Sequence, residues 1–354
     1  MKLWTGTTLC IFFVLLFVVG NFILVNKFVY FTKYNISYWQ KEFSFSQVAK
    51  SKPEHFLSDY ELYSIVGYKY WLGQNQMEMH PEVPPLGKYL VGLGIVLFEN
   101  NSIMNLVLGL ACLLFVYLLA KETTESSGVA LLSVLLLSVD QLFVEHLTTA
   151  NIDIPQLLFL LISLWAFNRK NYILASVGMG LMMGTKFYLN GLILMGVYFL
   201  YLLIMQEFRP FMLYVLSLPF LVIAYLVTYT YSFYLGTGFW EFIKFQRWLG
   251  DWWAGNARVP WGGILEVIFI GKWHTWWDGS KYIPVPNWSV LWPITMIGGI
   301  FGLNKKTLLL WLWVLTYLVF LTLTSPFPRY MIAILPFATI LALNTLKSIN
   351  RHAV

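Results

Sequence analysis

Pro84-Pro85-Leu86-Gly87-Lys88-Tyr89-Leu90-Val91-Gly92-Leu93-Gly94-Ile95-Val96-Leu97-Phe98-Glu99 is the stretch on which the reading of this chain turns. It is apolar beyond Lys88, and it either crosses a bilayer or lies against one. The charges elsewhere decide. The other long apolar runs fall at 5–26, 103–120, 127–144, 152–168, 171–187, 190–205, 211–233, 287–303, 307–324 and 329–346. Start with the N-terminus in the cytoplasm and let these runs alternate. Lys121, Arg169, Lys170, Arg209, Lys305 and Lys306 then fall in short cytoplasmic connections, and Lys347 and Arg351 in a cytoplasmic tail. Basic residues gather on that side of a membrane. If 86–99 also crossed, every later loop would invert. The segment is therefore expected to be an interfacial or re-entrant helix.

The composition supports a membrane chain throughout. Hydrophobic residues make up 58% and charged residues 11%, with a mean hydropathy of +0.67. A soluble domain carries roughly 25% charged residues. The runs are long and continuous, which selects helices over the short alternating strands of a barrel. The expected fold is thus an all-α polytopic bundle of about ten spans, one transmembrane domain over 1–354. Residues 1–26 have a basic start and no small-residue cleavage site, so an uncleaved first span is expected. The net charge of +6 is accounted for by the cytoplasmic ends and implies no nucleic acid partner. The two cysteines, Cys10 and Cys112, lie in apolar runs without metal-ligand spacing, and a disulfide is not expected.

This topology leaves two large external loops, 27–102 and 234–286. Both are rich in rings: Tyr60, Tyr63, Tyr68, Tyr70 and Trp71 in the first, Trp248, Trp252, Trp253, Trp273, Trp276 and Trp277 in the second. Such residues belong at the headgroup level. The triplets at Asn35, Asn100 and Asn287 that match the glycosylation pattern also fall outside.

Polar residues that bear chemistry converge on that face. Asp59 and Glu61 stand two apart at the start of a loosely helical, interface-lying segment, 59–73. As chemistry they are a base or a cation-binding pair; as structure, Asp59 caps the helix. Asp153 sits at the external mouth of the fourth run, where a carboxylate is costly and so a functional candidate, or again a cap. Glu145 and His146 lie in the same short loop. Lys88, Lys186 and Arg329 all fall on the outer side, against the charge bias. Singly each reads as a snorkelling side chain; together they suit a phosphate. Gly178, Gly180 and Gly184 lie inside a run and read as helix packing, not a nucleotide loop.

An acidic pair in the first external loop is followed by His80 and Pro84-Pro85-Leu86-Gly87-Lys88. Then come Ala150-x-x-Asp153-x-Pro155, Gly184-Thr185-Lys186 and Pro328-Arg329-Tyr330. The set resembles the dolichyl-phosphate-mannose–protein mannosyltransferases and the bacterial lipid A aminoarabinose transferases, membrane glycosyltransferases of the GT-C class. The resemblance covers roughly 1–205 and 325–346. It implies that Asp59 is similar to the family's catalytic base and Asp153 to its second acid. Departures are visible. Tyr60 separates two acids that the family usually has adjacent, and Pro81-Glu82-Val83 separates His80 from the prolines. No large external acceptor-recognition domain is expected.

The function expected from this is transfer of mannose or a similar hexose. The donor is a polyprenyl- or dolichyl-phosphate sugar, and the acceptor a hydroxyl on a protein, lipid or glycan. The active site lies on the extracytoplasmic or lumenal side of the bilayer. Asp59, Glu61 and Asp153 are the expected catalytic residues, Lys88, Lys186 and Arg329 the donor phosphate ligands. His80, Tyr60 and Glu145 are candidate donor or acceptor contacts. Oxygen ligands leave a divalent cation, Mg²⁺ or Mn²⁺, open. Two other classes stay open: a polyprenyl-lipid or solute transporter, and a non-catalytic subunit of a glycosylation complex.

Overall fold

The computed structural model describes residues 6–256, 261–275, 281–324 and 327–352. Trp276, Trp277, Ser325, Pro326 and Thr5, the first residue of the 5–26 run, lie outside them. The elements begin with α1 Gly6–Val25, α2 Lys27–Phe31, α3 Ile36–Phe45, α4 Asp59–Trp71 and α5 Pro85–Phe98. A central group follows: α6 Ile103–Thr124, α7 Ser127–Ser138, α8 Gln141–Thr148, α9 Asp153–Asn168, α10 Tyr172–Thr185, α11 Tyr188–Ile204 and α12 Phe208–Val227. Then come α13 Thr230–Tyr234, α14 Phe239–Asn256 and α15 Gly263–Phe269, and strands β1 Lys272–His274 and β2 Tyr282–Pro284. The chain closes with α16 Leu291–Ile300, α17 Leu308–Leu323, a 3₁₀ turn Pro328–Ala333 and α18 Leu335–His352.

Each expected run contains a helix, and the protein is an all-α polytopic membrane bundle. Most of the helices are shorter than the runs. Among the described residues, 103–124 and 208–227 are long and apolar enough to cross a bilayer, and a third span forms if α7 and α8 count as one. Asp140 bends α7 from α8 by 62°. Its carboxylate accepts from the amides of Leu142 at 3.0 Å and Phe143 at 3.3 Å, which starts a new helix inside the 127–144 run. Trp292 Nε1 donates to the other oxygen at 2.9 Å, so the break costs no unpaired group. The run at 329 likewise opens as a 3₁₀ turn, not as the start of α18. The second loop adds one small exception to the helices, an antiparallel ribbon pairing Trp273 with Ile283.

The core lies among α6, α9, α10, α11, α12, α17 and α18 and is almost wholly aliphatic and aromatic. Small residues set its closest approaches. A Cβ at Gly180 of α10 would stand 2.3 Å from the Leu221 carbonyl oxygen of α12, and one at Gly184 2.5 Å from the Thr228 methyl. The glycine row is helix packing. At about 1.5 Å per residue, α5 is roughly 21 Å long, short of a hydrocarbon core of roughly 30 Å. It packs on α4 and touches α6, α9 and α10. The α4–α5 crossing is backbone against backbone: a Cβ on Gly67 would stand 2.1 Å from the Lys88 carbonyl oxygen. Gly87 does the same for the next layer, its Cβ position lying 2.7 Å from Ile152 and 2.9 Å from the Thr185 carbonyl. Three separate segments, 58–63, 150–153 and 185–187, are thereby drawn to one end of the bundle.

Candidate active site

The first turn of α4 is closed by a capping box. Ser58 is the N-cap, and its backbone N–H and hydroxyl both donate to Glu61 Oε2 at 2.7 Å. The cap expected of Asp59 is therefore made by Ser58 and Glu61, and the Glu61 carboxylate is spent on the backbone. Asp59, one residue into the helix, is left to point outward. Arg329 Nη2 donates to its Oδ2 at 2.7 Å, across 270 residues of sequence.

A second ion pair lies beside it. Asp153 opens α9, and its Oδ1 accepts from Lys186 Nζ at the end of α10. Lys186 Nζ also sits 4.3 Å over the Tyr330 ring. Lys186 and Arg329 are each within electrostatic reach of both Asp59 and Asp153. The four form two acid–base pairs with no net charge. Within this cluster, Asp153 Oδ2, Arg329 Nε and His146 Nε2 are buried without a hydrogen-bond partner among the described residues. His146 Nε2 faces Asp153 Oδ2 at 3.7 Å, while His146 Nδ1 bonds the Leu142 carbonyl at 2.7 Å. Asn105 pins the turn that leads into Asp153 by donating to the carbonyls of His146, Thr149 and Asn151. Nothing in its surroundings in the sequence marks Asn105 for that task.

Other expected residues are placed differently. Lys88 is fully buried, and its Nζ donates to the carbonyls of His80 at 2.7 Å and Val83 at 2.8 Å. It braces the 80–84 turn and does not join the Asp153–Arg329 cluster. His80 stands in the left-handed region at φ 52° and leans on Tyr63. Burial and then the Lys88 charge push its ring down to about 3, so it is neutral near pH 7. Glu145 accepts from the Asn287 amide. Tyr60 faces Glu145, Asp59 and Asp153, and burial first, then those charges, raise its phenol. Glu82 was not singled out from the sequence. Its carboxyl is raised by burial and then by the charge of Asp59. Among the described residues no three His, Cys, Asp or Glu side chains converge as a metal site. Of the glycosylation triplets, Asn100 is buried, its amide donated to the carbonyls of Val29, Tyr30 and Thr32.

The two cations of these pairs, Lys186 and Arg329, line a cavity of about 300 Å³. Lys186, Arg329, Asn190, Tyr63 and Tyr330 supply its polar lining, and Phe187, Trp252, Trp253 and Phe327 belong to its apolar wall. The end of α14 covers it, held by Trp253 Nε1 donating to the Glu82 carbonyl at 2.9 Å. An enclosed apolar volume with convergent charged groups at one end is how small-molecule sites are built.

Comparison with solved structures bears on what this arrangement is. ArnT from Cupriavidus metallidurans superposes over 93% of this chain in its apo state, with a TM-score of 0.59 and 17% identity. Its undecaprenyl phosphate-bound form does so over 94%, with a TM-score of 0.61. The fold is that of ArnT. The chain spans 59% and 60% of the length of the two ArnT chains. In sequence, residues 82–230 match the family described as dolichyl-phosphate-mannose-protein mannosyltransferase. An uncharacterized protein of Aquifex aeolicus (strain VF5) is 31% identical over 138 residues, 36% of this chain and 28% of that one. The family match at 82–230 contains α5, Asp153 and Lys186; Asp59 and Arg329 fall outside it.

Proposed function

We propose that the chain transfers a sugar from a polyprenyl-phosphate donor to an acceptor hydroxyl at the external face of the membrane. The observation that carries this is the pairing of Asp59 with Arg329 and of Asp153 with Lys186, both cations lining one cavity, in a GT-C-like bundle. ArnT, which has the same fold, binds undecaprenyl phosphate. A lipid-linked donor also suits an external site, where nucleotide sugars are not supplied.

The two ion pairs define the step. The phosphate of the donor competes for Arg329 and Lys186, and Arg329 Nε offers a donor that is otherwise unused. Leaving-group charge grows on that phosphate as the glycosidic C–O bond breaks, so both cations stabilise the transition state more than the ground state. Once Arg329 turns to the phosphate, Asp59 is released. Its side chain keeps 42% of its exposure, against 2% for Asp153, so Asp59 is the carboxylate an acceptor reaches. Asp59 takes the hydroxyl proton as the acceptor oxygen attacks the anomeric carbon. The phosphate leaves with the bonding electrons, and a single displacement inverts that carbon. Asp153 holds Lys186 in place throughout, and Tyr60 and Glu145 line the acceptor side.

The test is transfer of radiolabelled sugar from polyprenyl-phosphate donors by the purified chain. Wild type is expected to transfer. Asp59→Asn is expected to lose ~10²–10⁴-fold while binding donor within a few-fold, because the amide keeps the shape and cannot take a proton. Near-normal turnover by Asp59→Asn would remove it as the base.

A further inference from the structure

His146 takes no part in the transfer step, yet it is packed against one of the two ion pairs. Its ring sits in α8, buried, with Nδ1 2.7 Å from the Leu142 carbonyl oxygen. A carbonyl only accepts, so Nδ1 carries a proton and, in the neutral ring, Nε2 carries a lone pair. Nε2 faces Asp153 Oδ2 at 3.7 Å, beyond hydrogen-bond length, and both atoms are buried with no hydrogen-bond partner among the described residues. Two acceptors thus oppose each other across that gap. The charged groups that act on the ring are Asp153 of α9, Lys186 at the end of α10 and Arg329 of the 3₁₀ turn. From α6 comes the neutral Asn105, bonded to the His146 carbonyl, and α7 carries no titratable side chain. Glu145, next along α8, is turned to Asn287. Together with Asp59, the charges around the ring sum to zero at rest. A further charge would be a buried surplus, so the resting ring is neutral. A donor phosphodiester changes that sum. It brings one negative charge to Lys186 and Arg329, and Asp153 must share its lysine while its Oδ2 has no other donor. A proton on Nε2 restores the balance, and a shortening of about 0.8 Å then makes an ordinary N–H···O bond of roughly 2.9 Å.

We infer that His146 is a positioning residue that gains a proton at Nε2 when the donor binds, and so holds Asp153 while Lys186 serves the phosphate. The inference rests on the proposed function and adds a proton, taken from bulk water, to its binding step. Only an N–H bond forms, and no bond of the donor changes. Binding favours the protonated ring. Affinity for a phosphodiester lipid is therefore highest at low pH, and it falls as the pH rises to where the bound ring releases its proton.

The probe is the methyl ester of undecaprenyl phosphate, a diester whose single charge does not change near neutral pH. Calorimetric titration of the purified full chain in lipid nanodiscs, repeated in buffers of different ionisation heat, counts the protons taken up per lipid bound. Wild type is expected to take up as much as about one proton, with affinity falling up to about ten-fold per pH unit between roughly pH 6 and 8. His146→Gln keeps a polar side chain that cannot gain a charge. It should take up no proton, bind the diester about ten-fold more weakly than wild type at the low end of that range, and match wild type at the high end. Asp59→Asn should keep the uptake, which separates His146 from the carboxylate that Arg329 releases. Uptake unchanged in His146→Gln, or lost in Asp59→Asn, would overturn the role of His146. Binding of the diester by wild type with no proton uptake at any pH in the range would do so too, and that result needs no variant to fold. Failure of wild type to bind the diester at all would overturn the proposed function itself, and this inference with it.

Discussion

Arg329 shows how much one side chain depends on its surroundings. In sequence it is one arginine in a short Pro-Arg-Tyr match, and snorkelling would explain it. In the structure its guanidinium holds Asp59 at 2.7 Å, packs 4.8 Å from the Phe327 ring and retains an unused Nε donor. On the proposed mechanism it exchanges Asp59 for phosphate. Arg329→Ala is accordingly expected to weaken binding of undecaprenyl phosphate about ten- to a hundred-fold, since a charge-assisted hydrogen bond is worth roughly 1.5–3 kcal/mol. A neutral polyprenol should be unaffected. Arg329→Lys should recover part of the loss, because charge returns without the fork. Equal losses for charged and neutral lipid, read in the same binding assay, would assign Arg329 to packing. Lys88 is the contrasting case. Its sequence setting, after two prolines and beside an apolar helix, is as suggestive as that of Arg329. Its ammonium is nonetheless consumed by two carbonyls, because the 80–84 turn bends back over it.

At the scale of the element, α4 separates two carboxylates that sequence spacing cannot separate. A capping box needs an acid three residues after the cap, and counting from Ser58 selects Glu61. The pattern Ser58-x-x-Glu61 was legible, yet the two acids were read as a chemical pair because nothing in the sequence fixes where helix 59–71 begins. Glu61→Gln keeps the box, since glutamine also accepts from the N-cap amide. It is expected to leave transfer within a few-fold and thermal stability in detergent almost unchanged. Glu61→Ala should cost about 0.5–2 kcal/mol of stability. A hundred-fold loss of transfer in Glu61→Gln would return that carboxylate to the chemistry. The row of glycines in α10 was read correctly because close packing needs only small residues in register. The crossing of α4 and α5 at Gly67 and Gly92 was not foreseen, since a contact between two helices is written in neither one alone.

At the scale of the molecule, ion pairs gather at both ends of the bundle. Away from the site, Glu122 pairs with Arg169, Lys170 with Glu207 and Lys306 with Glu125. These basic residues are the ones from which a cytoplasmic orientation was argued, and they cluster at the end of the bundle opposite Asp59. Single cysteines at Tyr60 and Tyr282 are expected to react with an impermeant thiol reagent on intact cells, in a background lacking Cys10 and Cys112. Cysteines at Arg169 and Lys305 should react only after permeabilisation. Labelling of position 305 from outside would invert the topology and put the site on the other face.

The sequence by itself determined the class of fold, because continuous apolar runs leave a chain only one way to satisfy its backbone in lipid. It also marked Asp59, Asp153, Lys186 and Arg329, since ionisable groups next to such runs are too costly to be idle. Tertiary structure alone decided which of them meet. The two ion pairs span 270 and 33 residues, and no local pattern records a pairing over such distances. It also decided that Lys88 and Glu61 serve the backbone. Composition and periodicity report what each residue costs to bury; only the packed fold reports what that cost is set against.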